Sequence, residues 1–147
     1  MLKNRYFLLL LQLISGAAAV LAFAPVSQAW LLPVSLWTLF WAWHSARSLR
    51  EVLLPSFVWG LGYFAANTGW VYISLHTHGG MPMAMALGAV FLLASFLALF
   101  PMLAGWLTWR LPVSKLWRVA LVAPTMLILL EWVRGWIFTG FPWASIG

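Results

Sequence analysis

The sequence predicts an all-α membrane protein, a polytopic bundle of about five transmembrane helices with the N-terminus inside and the C-terminus outside. Three observations predict it. Hydrophobic residues make up 65% of the chain and charged residues only 7%, whereas an ordinary soluble domain carries about 25% charged residues. The apolar residues fall in runs long enough to cross a hydrocarbon core of about 30 Å. The basic residues collect in alternate connections: seven of the eight lie at the N-terminus or in segments 44–51 and 110–118, and none in 25–29 or 76–82. That alternation is the positive-inside pattern and sets the orientation. The net charge of +6 forms no patch or stripe of the kind that nucleic acid requires. With no cysteine in the chain, disulfides, thiolate metal ligands and a cysteine nucleophile are excluded from it.

The first span covers about 6–24, behind Lys3 and Arg5. A basic start, an apolar centre and Ala22-Phe23-Ala24 imitate a signal peptide, but the run is long for one and Pro25 would occupy the first mature position. A retained span is expected. After the uncharged Pro25-Val26-Ser27-Gln28 connection, the second span covers about 30–46 and ends near His44, Arg47, Arg50 and Glu51. The third covers about 52–75 and leads into an outer loop, His76-Thr77-His78-Gly79-Gly80-Met81-Pro82. The fourth covers about 83–109 and should kink at Pro101, which lacks a backbone donor. The fifth covers about 119–138. Trp30, Trp70, Trp136 and Trp143 fall at the outer boundary and Trp43, Trp106, Trp109 and Trp117 at the inner one, as an aromatic belt predicts. The whole of 1–147 then forms one transmembrane domain.

Small-xxx-small pairs (Gly62 with Ala66, Ala65 with Gly69, Ala84 with Gly88) mark places where helices can approach closely, and Gly60-x-Gly62 reads as a packing device inside a span. His76-x-His78 can be read as two metal ligands, but no nearby carboxylate or cysteine completes such a site; a polar outer loop is the simpler reading, and no metal site is expected. Trp70, Tyr72 and Ser74 could line a cleft or could simply anchor the helix at the interface.

Glu131 and Arg134 are of another kind. One of them is among only two acidic residues in the sequence, and three positions apart on a helix they share a face. Counting from Val119 at 1.5 Å per residue puts Glu131 about 18 Å and Arg134 about 22 Å along the span, in the outer half of the bilayer. A charge retained there marks either a functional site or an internal pair. The structural reading is a paired couple with Arg134 reaching outward. The functional reading is that Arg134 holds an anionic lipid head group or docks an outer domain, with Gly140, Phe141, Pro142 and Trp143 as an aromatic turn beside it. No nucleophile–base–orienter constellation is visible.

With these residues placed, the chain resembles the membrane-embedded N-terminal part of bacterial apolipoprotein N-acyltransferase. The likeness runs in register through Leu21-Ala22-Phe23-Ala24-Pro25, Trp59-Gly60-Leu61-Gly62-Tyr63-Phe64, Trp70-Val71-Tyr72-Ile73-Ser74 and Gly79-Gly80-Met81-Pro82. It continues through Trp117-Arg118-Val119-Ala120, Ala123-Pro124, Glu131-Trp132-Val133-Arg134-Gly135-Trp136 and Thr139-Gly140-Phe141-Pro142-Trp143. The resemblance implies a multi-pass enzyme of the bacterial inner membrane that moves an acyl chain from a phospholipid to the N-terminal cysteine of a diacylated apolipoprotein. It implies no cofactor. In that family catalysis belongs to a nitrilase-like periplasmic domain with a Glu-Lys-Cys triad, which residues 1–147 do not supply: Glu131 is not the triad glutamate, and Lys3 and Lys115 fall on the wrong side of the membrane. The expectation is therefore a fragment or truncated reading frame that is inactive alone. The competing expectation is a small stand-alone membrane protein, a transporter subunit or assembly scaffold, and the DNA beyond codon 147 would separate the two.

Overall fold

The computed structural model describes residues 2–23, 25–137 and 140. Among them the chain is helical and contains no strand. Helix α1 (Leu2–Ala19) tightens into a 3-10 turn at Val20–Ala22; α2 is Leu31–Ser45 and α3 is Arg50–Asn67. A short α4 (Gly69–Ile73) runs into a π-helical turn at Ser74–His78; α5 (Met83–Leu97) and α6 (Leu99–Arg110) follow. One turn of α7 (Lys115–Trp117), a π-helical turn at Arg118–Val122 and α8 (Ala123–Arg134) complete the described chain. Three helical stretches are long and apolar enough to cross a membrane: Arg5–Ala22, Met83–Arg110 and Lys115–Arg134, of 18, 28 and 20 residues. At 1.5 Å per residue these measure about 27, 42 and 30 Å.

The interruptions have local causes. Thr68 Oγ1 donates to the Phe64 carbonyl at 2.7 Å and Asn67 Nδ2 to the Tyr63 carbonyl at 3.0 Å, so two side chains compete for carbonyls of the preceding turn, and α3 ends there. The break at Ala98 lies three residues before Pro101, whose ring excludes the bond to the Leu97 carbonyl; the expected kink is thus a break at the start of α6. Pro124, just inside α8, has the same effect on the turn before it, which widens to the π form. The helical stretch around α8 begins at Lys115 and ends at Arg134, earlier at both ends than the 119–138 expected. His76 and His78 belong to the π-helical turn rather than to a loop.

Helix α3 is the hub and packs against α1, α2, α5 and α6, while α8 lies on α6. Its contacts explain the glycines. A Cβ at Gly62 would fall on the Leu13 carbonyl of α1, and one at Gly16 on the Trp59 carbonyl of α3. On the other face, Gly60 meets Ala98 and the Pro101 ring. Close backbone approach of this kind lets dispersion replace the hydrophobic effect, which does not act between helices in lipid. Two of the expected small-residue pairs do not serve this purpose: Gly69 and Gly88 face open space, and Ala65 and Ala84 are exposed. The composition supplies many such pairs by chance, whereas Gly16 belongs to none of those noted.

A polar ladder crosses the core between α1, α2 and α3. Trp59 Nε1 donates to Ser35 Oγ at 2.9 Å, and Ser35 Oγ donates to the Ser15 carbonyl at 2.6 Å. Ser15 and Thr38 share a hydroxyl bond at 2.9 Å, and Gln12 Nε2 donates to the Thr38 carbonyl at 3.1 Å. Large apolar side chains meanwhile face outward, among them Trp37, Leu92, Ile128 and Trp132. Polar inside and apolar outside is the arrangement of a chain whose solvent is lipid. Trp43, assigned to the inner boundary, is instead buried, with Nε1 donating to Ser56 Oγ at 2.8 Å.

Candidate functional site

On α8 the buried residues are Ala123, Leu127, Leu130 and Arg134, spaced at four, three and four positions, which is one helix face. Arg134 therefore occupies the core stripe of α8. It is 2% exposed, so it does not snorkel outward. The long apolar face of α8 around Ile128 and Trp132 takes the outside position.

Arg134 Nη2 donates to Glu131 Oε1 at 3.4 Å. Its guanidinium carbon lies 5.1 Å from the centre of the Phe64 ring, a cation–π distance. Phe64 meets Tyr63 edge to face with centroids 5.1 Å apart, and Tyr63 stacks on Trp59 at 5.2 Å with the rings 10° from parallel. These residues, with Phe100, Pro101, Leu127 and Leu130, line a small, partly open cleft of about 20 Å³ between α3, α6 and α8. Phe64 and Arg134 both lie near the C-terminal ends of their helices, so the ends of α3 and α8 meet here. A planar guanidinium offers five donors in a fixed fork, and Glu131 holds it in place. Among the described residues the lining contains no serine, threonine, histidine or cysteine. Cation, carboxylate and phenol thus meet over aromatic walls.

The other residues singled out from sequence stand elsewhere. Trp70 is exposed and does not line this cleft. Tyr72 stacks on His76 at 5.2 Å, and His76 Nδ1 lies 2.7 Å from the Met81 carbonyl. Gly140 has φ +80°, where a Cβ would fall on the Gly135 carbonyl; glycine is needed for that turn. Phe141, Pro142 and Trp143 lie outside the described residues. Sequence reasoning did not bring Trp59, Tyr63 and Phe64 to the pair. The signal was their spacing beside Gly60 and Gly62, which puts large rings where the backbone approaches its neighbours most closely.

Fold and site define a class: a helical bundle built for lipid, with a buried ion pair turned inward onto an aromatic cleft. Residues 15–147 match the family described as apolipoprotein N-acyltransferase N-terminal domain. The chain belongs to that family. It is 41% identical over 140 residues to the apolipoprotein N-acyltransferase of Methylococcus capsulatus, covering 95% of this chain and 28% of that protein. The relative from Nitrosomonas europaea is 38% identical over 144 residues, covering 98% of this chain and 29% of its own length. That from Photobacterium profundum is 39% identical over 151 residues, covering 100% and 29%. The chain thus spans less than a third of these curated relatives.

Proposed function

We propose that this chain is the membrane part of an apolipoprotein N-acyltransferase of the bacterial inner membrane, serving acyl transfer from a phospholipid to the N-terminal cysteine of a diacylated lipoprotein. The observation that carries this reading is the match across residues 15–147 to the N-terminal domain of that family. The bundle forms five spans, N-terminus inside and C-terminus outside; α2 and the interrupted α3–α4 pair join the three long stretches. The cleft at Glu131 and Arg134 opens toward the outer half of the bilayer. There Arg134 grips the acidic head group of a lipid substrate or seats the outer domain, and the rings of Trp59, Tyr63 and Phe64 receive apolar chain. Gly140 turns the chain back onto Gly135 at the end of α8, while Trp70 and Tyr72 stand apart from the cleft.

A lone arginine at a span centre costs about 2.5–3.5 kcal/mol on translocon-type scales, so hydrophobicity alone favours its removal. Placed in a full-length relative, Arg134→Leu should insert and accumulate normally yet lose acyltransferase activity, with Arg134→Lys recovering only part, because an ammonium cannot form a forked contact. Full activity of the leucine variant at normal abundance overturns the site. Reporter fusions read the topology: periplasmic at positions 27, 79 and 145, cytoplasmic at 48 and 114. A reversed pattern at two of these positions overturns the orientation.

A further inference from the structure

A second, shallow and partly open cleft lies at the opposite end of the bundle, where α2 and α6 end and the α7–α8 stretch begins. Trp43, His44, Ala46, Trp109, Lys115, Arg118 and Val119 line it. Two segments far apart in sequence, 43–46 and 109–119, converge here; the second holds Arg110, Lys115 and Arg118, and the first leads into Arg47 and Arg50.

Arg118 is the organised element of this cleft. Its Nη2 donates to the Leu111 and Val113 carbonyls at 3.2 and 3.3 Å, and its guanidinium carbon lies 5.4 Å from the Trp109 ring centre. Two carbonyls and an aromatic face thus fix the side chain without neutralising it. Its Nε is buried and has no acceptor among the described residues. A buried donor left unpaired carries a desolvation penalty, so the described residues do not fully satisfy this guanidinium. Lys115 and His44 border the same space, and no carboxylate does. The two acidic residues of the sequence are engaged elsewhere: Glu51 Oε2 accepts from the Arg47 backbone at 2.9 Å, and Glu131 pairs with Arg134.

We propose that this cleft binds a phosphate-bearing anion, with the Arg118 guanidinium and Lys115 Nζ donating to its oxygens and Trp43 and Trp109 walling its apolar side. Two sources carry that chemistry: the head group of an anionic phospholipid in the leaflet at this end, and free phosphate. The site is separate from the Glu131–Arg134 cleft and does not depend on what that cleft does.

The test uses the 147-residue chain purified in a mild non-ionic detergent. Native mass spectrometry counts the lipids retained after addition of phosphatidylglycerol or phosphatidylcholine, and calorimetry follows inorganic phosphate against protein-free micelles. Wild type should retain one phosphatidylglycerol in preference to phosphatidylcholine, or bind one phosphate; the first outcome assigns the head group and the second the free ion. The Lys115→Gln/Arg118→Gln double variant should weaken whichever is bound by at least about tenfold, the scale of lost hydrogen bonds to a charged group. Because Arg118 also ties down the 111–113 connection, Lys115→Gln alone, at an exposed position, serves as the second variant and should weaken binding several-fold. Arg110→Gln, at the same end but outside the cleft, should change nothing. Binding that survives both cleft variants, equal retention of the two lipids without phosphate binding, or an equal loss in Arg110→Gln overturns the proposal.

Discussion

Glu131→Gln should destabilise the bundle more than Arg134→Leu, although arginine is the costlier residue to bury. The glutamine variant removes the carboxylate 3.4 Å from Arg134 Nη2 and leaves the guanidinium in place, and a guanidinium cannot shed its charge. Breaking a buried pair from one side costs about 3–5 kcal/mol. The long contact, and the partial exposure of Glu131, bring the expectation down to about 2 kcal/mol, or roughly thirtyfold in the folding equilibrium. Arg134→Leu forfeits the same contact and a cation–π interaction worth about 1 kcal/mol. It also relieves the cost of holding a cation on the core stripe of α8, and the remaining carboxyl group can neutralise itself by taking up a proton. Its net effect should lie within about 1 kcal/mol of wild type, and the double variant should recover most of the loss in Glu131→Gln. The assay is SDS-induced unfolding from a mild detergent, followed by circular dichroism for all four chains. If Arg134→Leu is as destabilising as Glu131→Gln, or the double variant is worse than either, the pair is not the electrostatic unit described.

The close approach of α1 and α3 predicts that Gly16→Ala, whose Cβ would fall on a backbone carbonyl, costs about 1–3 kcal/mol by overpacking. Gly88→Ala, facing open space, should be neutral or slightly stabilising through helix propensity; the same unfolding assay checks both. Ser35→Ala removes the acceptor of the buried Trp59 indole and should cost about 1–2 kcal/mol, less in Ser35→Ala/Trp59→Phe once the stranded donor is gone. The purified chain should transfer no acyl group to a diacylated lipopeptide above a protein-free control, since it holds no cysteine to form an acyl thioester and a covalent route needs such a nucleophile.

The class of this protein was legible in its composition, because a chain 65% hydrophobic and 7% charged has too little polar surface to meet water. The helical class was legible too, since long apolar runs act locally. Glu131 and Arg134 could be paired from their spacing alone, and Gly60-x-Gly62 could be read as packing. Only the tertiary structure decided the rest. Which face of α8 turns inward is invisible when both faces are apolar, so burial of Arg134 against Phe64 rather than outward extension emerged only from the packing of both α3 and α8 against α6. For the same reason Gly16 and Gly62 carry the α1–α3 contact while the equally plausible Gly69 and Gly88 do not. The gathering of His44, Lys115 and Arg118 around one cleft depends on which helix ends become neighbours. Helical periodicity fixes what lies along one face of one helix; contacts between helices depend on long-range packing, which no local pattern encodes.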